Sequence, residues 1–301
     1  MNAAIIGAGG QLGVDLCRVL TVQKVTVLPL THRDVDVSDS AQVDRVLDSI
    51  RADVVISTAA FHRVEECEKQ PAPSFAVNAT GPRNLAIACR RNNAVLVHFS
   101  TDYVFDGAQR HPYAESDLPG PLNVYGASKL AGEHMLKLTW DRHFIIRTCG
   151  LYGVAGSAGK GGNFVETMLK KAGEGAPIRV VNDQVLTPTF TGDLAEVVRQ
   201  LIQTEAYGLY NVTAEGQCSW YEFARKIFEL EKLTVDLKPV STTEFPSPAK
   251  RPAYSVLSKK KLNQLGLAMP NWQDGLRRYL AARPDARNTA NTVVRSFPVI
   301  P

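Results

Sequence analysis

The sequence predicts an α/β protein, a doubly wound parallel sheet followed by a smaller C-terminal lobe. Three observations predict it. Short runs rich in Val and Ile recur at residues 3–6, 25–28, 53–57 and 94–99. Enough chain separates each run from the next for a crossover helix, as at 41–51 and 72–92. The first run ends in a cluster of glycines, and a helical stretch follows at 14–20. Nearly continuous apolar strands belong to sheets buried on both faces, which is the parallel arrangement. A further run at 144–147 continues the sheet.

Composition narrows the class. The 301 residues are 45% hydrophobic and 21% charged, with a formal net charge of +4. That balance excludes a disordered polyelectrolyte and gives no basic stripe for nucleic acid. No apolar run approaches the roughly 20 residues that span a bilayer. The N-terminus has no basic segment ahead of its apolar residues, so it does not read as a secretory signal. Cys17, Cys67, Cys89, Cys149 and Cys218 are scattered without a C-x-x-C pair, the pattern of free thiols in a reducing compartment. A cytoplasmic protein with neither nucleic-acid nor membrane partners is expected.

The first strand leads into Gly7, Gly10 and Gly13, spaced G-x-x-G-x-x-G with Gly9 as an additional glycine. A tight turn without a Cβ lets a pyrophosphate approach the backbone. The following helix offers free N–H groups and the positive end of its dipole. Together with the alternating strands and helices, this turn predicts a Rossmann-type dinucleotide site. A glycine loop of purely structural use is the plain alternative. Residues 28–34 close the second strand without a carboxylate at its end, while His32 and Arg33 stand where a 2′-phosphate would be met. NADPH is therefore favoured over NADH. Asp34 keeps NADH in play, and Arg33 also reads as a solvated loop charge.

The chain changes character after residue 150. A loop at 153–162 holds five glycines, helices follow at 163–173, 192–204 and 219–230, and a strand lies near 178–181. The expected division is a dinucleotide-binding domain over 1–150, joined by about 186–205, and a substrate lobe from 151–185 and 206–281. Residues 282–301 form a tail of little periodicity. A cleft between the lobes would take the ligands.

Tyr125 and Lys129 stand four apart at a helix start, hence on one face. A nearby ammonium lowers the phenol pKa from about 10 and fits it for acid–base work on a carbonyl. Tyr221 and Tyr279 also have an arginine four residues on, Arg225 and Arg283, and read as ordinary helix positions. Tyr125 differs by preceding the fifth strand of a sheet that began with the glycine turn. Thr101 ends the fourth strand, on the edge where open sheets place ligands, and its hydroxyl would polarise the carbonyl. A turn cap is the plain alternative for Thr101.

The segments 7–13, Ser-Thr-Asp-Tyr-Val-Phe-Asp-Gly at 100–107 and Pro-Leu-Asn-Val-Tyr-Gly-Ala-Ser-Lys at 121–129 carry a family resemblance. The chain resembles the extended short-chain dehydrogenase/reductases, and within them the dTDP-4-dehydrorhamnose reductases, from residue 1 to about 280. The resemblance implies NAD(P)H-dependent reduction of the 4-keto group of a dTDP-linked 6-deoxy sugar, giving dTDP-L-rhamnose. It implies Thr101, Tyr125 and Lys129 as catalytic residues, with Tyr125 and Lys129 also touching the cofactor. Gly7, Gly10, Gln11, Leu12 and Gly13 would hold the cofactor, with Arg33 read above, Asp36 and Val37 near the adenine, and Ala59 and Ala60 after the third strand. Asp102, Tyr103 and Arg251 would meet the substrate. Two positions depart from the family pattern. Gly150 stands where a tryptophan is usual, and Leu186 where a glycine is usual. No metal site is expected, and a homodimer is left open. A nucleotide-sugar epimerase of the same extended family and a non-catalytic dinucleotide-binding regulatory subunit are the alternatives. The intact Thr101, Tyr125 and Lys129 set argues against a pure regulator.

Overall fold

Alternation within the strands accounts for the layering. In the computed structural model, which describes residues 1–155, 162–245 and 247–283, β1 (Asn2–Ile6) is followed by α1 (Gln11–Val22), β2 (Thr26–Leu30), α2 (Ser40–Ile50) and β3 (Val54–Ser57). Then come α3 (Val64–Lys69), α4 (Pro71–Phe75), α5 (Gly81–Asn92), β4 (Val95–Thr101), α6 (Val124–Lys137) and β5 (His143–Thr148). Ala3, Ile5, Val54, Ile56, Val97 and Ile146 enter one buried cluster with α1. Their neighbours Ala4, Ile6, Val55, Leu96 and Ile145 enter another with α2 and α5. Successive side chains point to opposite faces, so a strand apolar at every position needs helices on both sides.

The six-stranded sheet is parallel throughout. Counting inward from one edge, β2 is followed by β1, β3, β4, β5 and a sixth strand, β10 (Gly208–Asn211). Pro29, which cannot donate to a ladder, is confined to β2 at that edge. The winding reverses between β1 and β3. Their carboxyl ends therefore open a crevice, and the glycine turn sits on its rim.

The second cluster of elements begins with β6 (Leu151–Tyr152), α7 (Phe164–Gly173), β7 (Ile178–Val181), β8 (Val185–Leu186), β9 (Thr189–Phe190) and α8 (Thr191–Leu201). After β10 come β11 (Cys218–Ser219), α9 (Trp220–Leu230), β12 (Leu237–Val240), α10 (Lys260–Gln264) and α11 (Trp272–Ala282). Phe190, Phe223, Trp272 and Tyr279 pack with α7 and α9 into a separate aromatic-rich core. Helix α8 instead covers the sheet: Leu194, Ala195, Val198 and Leu201 join the cluster that holds α1.

Three expectations need correcting. The helix expected over 72–92 is broken into α4, a π-helical turn at Ala76–Thr80 and α5. Pro82 has no N–H to return to the carbonyl four residues back, so an unbroken α ladder cannot pass it. The stretch 206–281 does not belong wholly to a substrate lobe. β10 pairs with β5 as the sixth sheet strand, and Leu262 of α10 packs into the sheet's core. The expected tail begins too early, because α11 runs to Ala282 and Arg283 pairs with Glu166 and Glu231 at 3.5 and 3.1 Å. Residues 156–161 of the glycine-rich loop, Pro246, and 284–301 of the tail lie outside the described residues.

All five cysteines are free thiols. Among the described residues no helix is long and apolar enough to cross a membrane.

Candidate active site

Along the carboxyl ends of the strands lies a cleft of about 830 Å³. Its cofactor end is made of backbone. Gly7 adopts φ +80°, and a Cβ there would lie 2.5 Å from the Thr58 hydroxyl. Only glycine suits that turn. A Cβ on Gly9 would meet nothing within 4 Å, so the turn faces open space. Gly10 is the N-cap of α1, and no side chain caps that helix end. Its first-turn N–H groups and dipole are thus free for an anion. A dinucleotide diphosphate fits this cradle, which Gly7, Gly10, Gln11 and Leu12 line together with Ala59 and Ala60 from beyond β3.

Other residues expected near the cofactor are not brought to the cleft wall. Gly13 faces the turn from behind, where a Cβ would collide with the Gly7 carbonyl oxygen. Arg33 is exposed outside the cleft, whereas Thr31 and His32 line it. The Asp36 carboxylate accepts from the Ser38 backbone N–H and hydroxyl at 2.9 and 2.7 Å, and those bonds hold its pKa below the usual range. Val37 is buried against Gly81. Both therefore serve the loop between β2 and α2.

The catalytic candidates converge from β4 and α6. Asn123 caps α6 by accepting from Gly126 N–H at 2.8 Å, which fixes Tyr125 in the first turn. A Cβ on Gly126 would strike the Tyr103 carbonyl oxygen, so glycine lets the strand end lie directly on the helix. The Tyr103 and Tyr125 rings meet edge to face at 5.9 Å. Thr101, Asp102, Tyr103, Tyr125 and Lys129 all line the cleft.

Electrostatics here differ from the sequence expectation. Burial raises the Tyr125 phenol above its ordinary pKa, the Asp102 carboxylate adds to the rise, and a hydrogen bond with Thr101 opposes it. Lys129 follows one turn along α6. Its Nζ lies 3.3 Å from Nε2 of buried His98, and burial pulls the ammonium down to about 8 against the opposing charge of Glu133. Burial, then the charge of Lys129, holds His98 well below its usual value and therefore neutral. One turn further along α6, Glu133 accepts from Arg147 Nε and Nη2 at 2.9 and 2.7 Å and from the Ser100 hydroxyl at 2.5 Å. The cluster is buried.

At the other end of the cleft, Asp102 accepts from the Thr101 hydroxyl and the Cys149 thiol, both at 3.0 Å. Ser255 bonds the same carboxylate, yet burial still raises its pKa. Arg251 stands beside the cleft-lining Pro252 but outside the wall, in an ion pair with Glu65 of α3. Several wall residues escaped sequence reasoning, among them Thr58, Thr148, Cys149, Asn163, Phe223 and Ser255. Thr58 and Thr148 carried one usable signal, their places at the ends of β3 and β5. Gln11 joins the two halves: its Oε1 accepts from Gly153 N–H at 3.0 Å and Asn163 Nδ2 at 3.1 Å.

Residues 1–284 match the sequence profile of the RmlD substrate binding domain family. The chain belongs to this family. The spore coat polysaccharide biosynthesis protein SpsK of Bacillus subtilis is 41% identical to this RmlD-family chain over 282 residues, covering 94% of the chain and 98% of the relative. The dTDP-4-keto-6-deoxy-D-glucose reductase of Streptomyces niveus is 37% identical over 277 residues, covering 90% and 94%. Among solved structures, dTDP-4-dehydrorhamnose reductase from Bacillus anthracis in complex with NADP superposes with a TM-score of 0.89 at 40% identity, covering 93% of this chain and 98% of that one. The resemblance drawn from the sequence motifs is thereby borne out.

Proposed function

We propose that this RmlD-family chain reduces the 4-keto group of a dTDP-linked 6-deoxy sugar with NADPH, with dTDP-4-dehydro-L-rhamnose as its substrate. The observation that carries the reading is the convergence of Thr101, Tyr125 and Lys129 on the cleft that begins at the glycine cradle. Relatives that are dTDP-keto-sugar reductases, one solved with NADP, support the choice of substrate and cofactor.

Bound NADPH supplies the hydride. Tyr125 gives the phenolic proton to the sugar's C4 oxygen. A phenol whose pKa is raised by burial and Asp102 is fully protonated at neutral pH, as a donor must be. Thr101 holds the hydroxyl that orients both the C4 oxygen and Tyr125. Lys129, fixed by His98 and level with the phenol one helical turn away, bonds the cofactor and offers a positive charge where a phenolate forms. Gly7, Gly10, Gln11 and Leu12 take the diphosphate of the cofactor. Thr31 and His32, which line the cleft, would meet a 2′-phosphate, and Arg33 lies outside the lining. Asp102 and Tyr103 face the sugar, and Arg251, paired with Glu65 and hydrogen-bonded to the Tyr103 side chain, stands beside them.

The test is NADPH consumption with dTDP-, UDP- and GDP-linked 4-keto sugars. Net oxidation with the dTDP sugars, and product carrying a new C4 hydroxyl, is the expected result. Interconversion of sugar epimers without net NADPH consumption would overturn the reading in favour of an epimerase.

A further inference from the structure

Two residues that stand out in the sequence, Gly150 and Leu186, touch in the fold. Gly150 follows Cys149 at the end of β5, with φ +56°. A Cβ there would lie 3.0 Å from Leu186 Cδ1 and 3.2 Å from Pro188 Cα. Leu186 thus occupies the volume that a side chain at 150 would need, and both residues line the cleft.

Leu186 is also rigidly held. It pairs with Cys218 across β8 and β11, and its neighbour Val185 accepts from Ser255 N–H at 2.8 Å. The side chain is almost wholly buried. Its position relative to the chemistry follows from a short chain of contacts. Gly150 adjoins Cys149, Cys149 bonds Asp102, and Asp102 bonds Thr101.

A sugar reduced at C4 presents two unlike flanks beside its carbonyl: the C3 hydroxyl on one side, and C5 with its C6 substituent on the other. The walls beside Thr101 and Tyr125 are unlike in the same sense. Asp102 and Ser255 are polar and hydrogen-bonded to each other, while Leu186 over Gly150 offers no polar side-chain atom. We infer that Leu186, seated on Gly150, is the residue that selects the C6 methyl of a 6-deoxy sugar over a C6 hydroxyl. The inference rests on the proposed keto-sugar reduction for the sugar's orientation. A hydroxyl placed against Leu186 would lose its water without gaining a partner.

Binding calorimetry on NADP-loaded protein tests this with dTDP-6-deoxyglucose and dTDP-glucose, which differ by one oxygen at C6. Wild type is expected to bind the 6-deoxy sugar about tenfold more tightly, within the range one group in an apolar pocket can give. Leu186→Asn, close in size but polar, is expected to abolish or reverse that preference, and Leu186→Ala to shrink it. The affinity for dTDP alone should not move in either variant. Equal discrimination in wild type and Leu186→Asn would overturn the inference, as would a wild type that does not prefer the 6-deoxy sugar. The keto-reductase reading fails separately, through absence of NADPH consumption, because the binding ratio needs no turnover.

Discussion

The two ends of the cleft are built from different materials. The cofactor end is backbone: a left-handed glycine, an uncapped helix terminus and the short turn after β3, all within the first sixty or so residues. The sugar end is side chain, assembled from β4, α6, the end of β5, β8 and the segment around Ser255. Backbone recognition of a diphosphate depends on local sequence, because one turn supplies all its parts. Side-chain recognition of a sugar depends on tertiary packing. The difference predicts that damage at the first end removes binding of any dinucleotide, whereas damage at the second changes rate or sugar preference with the cofactor still in place.

The largest effect is expected at the cofactor end. Gly7→Val would force a β-branched residue to φ +80° and push its Cβ into Thr58. Loss of NADPH binding, read by quenching of cofactor fluorescence, is the expected outcome. Retained affinity would show that the backbone turn is not the cradle.

Next is the buried pair beneath the site. Glu133→Gln leaves the Arg147 guanidinium, 2% exposed, without its carboxylate. Breaking such a pair from one side costs about 3–5 kcal/mol. Chemical denaturation should show a loss of that order, and Glu133→Gln with unchanged stability would mean the pair contributes little.

Lys129 sharpens the comparison because its two effects have opposite signs. Burial lowers its folded pKa to about 8, below the unfolded value. Between about 8 and the unfolded lysine value near 10.4 the unfolded chain binds more protons, so stability rises with pH there, and the burial penalty is present in full below about 8. Lys129→Met is therefore expected to melt at or above the wild-type temperature at about pH 6.5, an advantage that fades by about pH 10. Its reductase activity should nevertheless fall by about 100-fold or more. A large drop in melting temperature together with retained activity would assign Lys129 a structural role.

The smallest effect is expected at the rim. His32→Ala should lower the preference for NADPH over NADH by a few-fold in Kd, whereas Arg33→Ala should leave it nearly unchanged. The opposite ranking would restore the arginine to the 2′-phosphate.

The same division explains what could be read from the sequence. Strands β1 and β3 to β5 announce themselves through the short apolar runs that burial on both faces requires, and the glycine turn announces itself because its parts are contiguous in the sequence. Tyr125 and Lys129 were visible as neighbours on one helical turn. The direction of the phenol's shift was not, because Asp102, whose charge adds to the rise, comes from another stretch of the chain. β10 was missed as a sheet strand since Gly-Leu-Tyr-Asn at 208–211 has neither length nor alternation. The two-residue strands β6, β8, β9 and β11 carry no periodicity at all. Cys149, Leu186 and Ser255 ride on or beside such fragments. Arg251 reads from the sequence as a substrate contact, and its ion-pair partner Glu65 lies in a helix far away in the sequence.

Label transfer from NADPH deuterated at the reactive C4 position tests the central claim most directly, with wild type and Tyr125→Phe compared at saturating cofactor and a dTDP-4-keto-6-deoxy sugar. The account predicts that wild type delivers deuterium to C4 of the sugar, and that Tyr125→Phe binds cofactor normally but transfers label at least about 100-fold more slowly. Transfer by Tyr125→Phe at a rate close to wild type, or deuterium that never reaches the sugar, would contradict it.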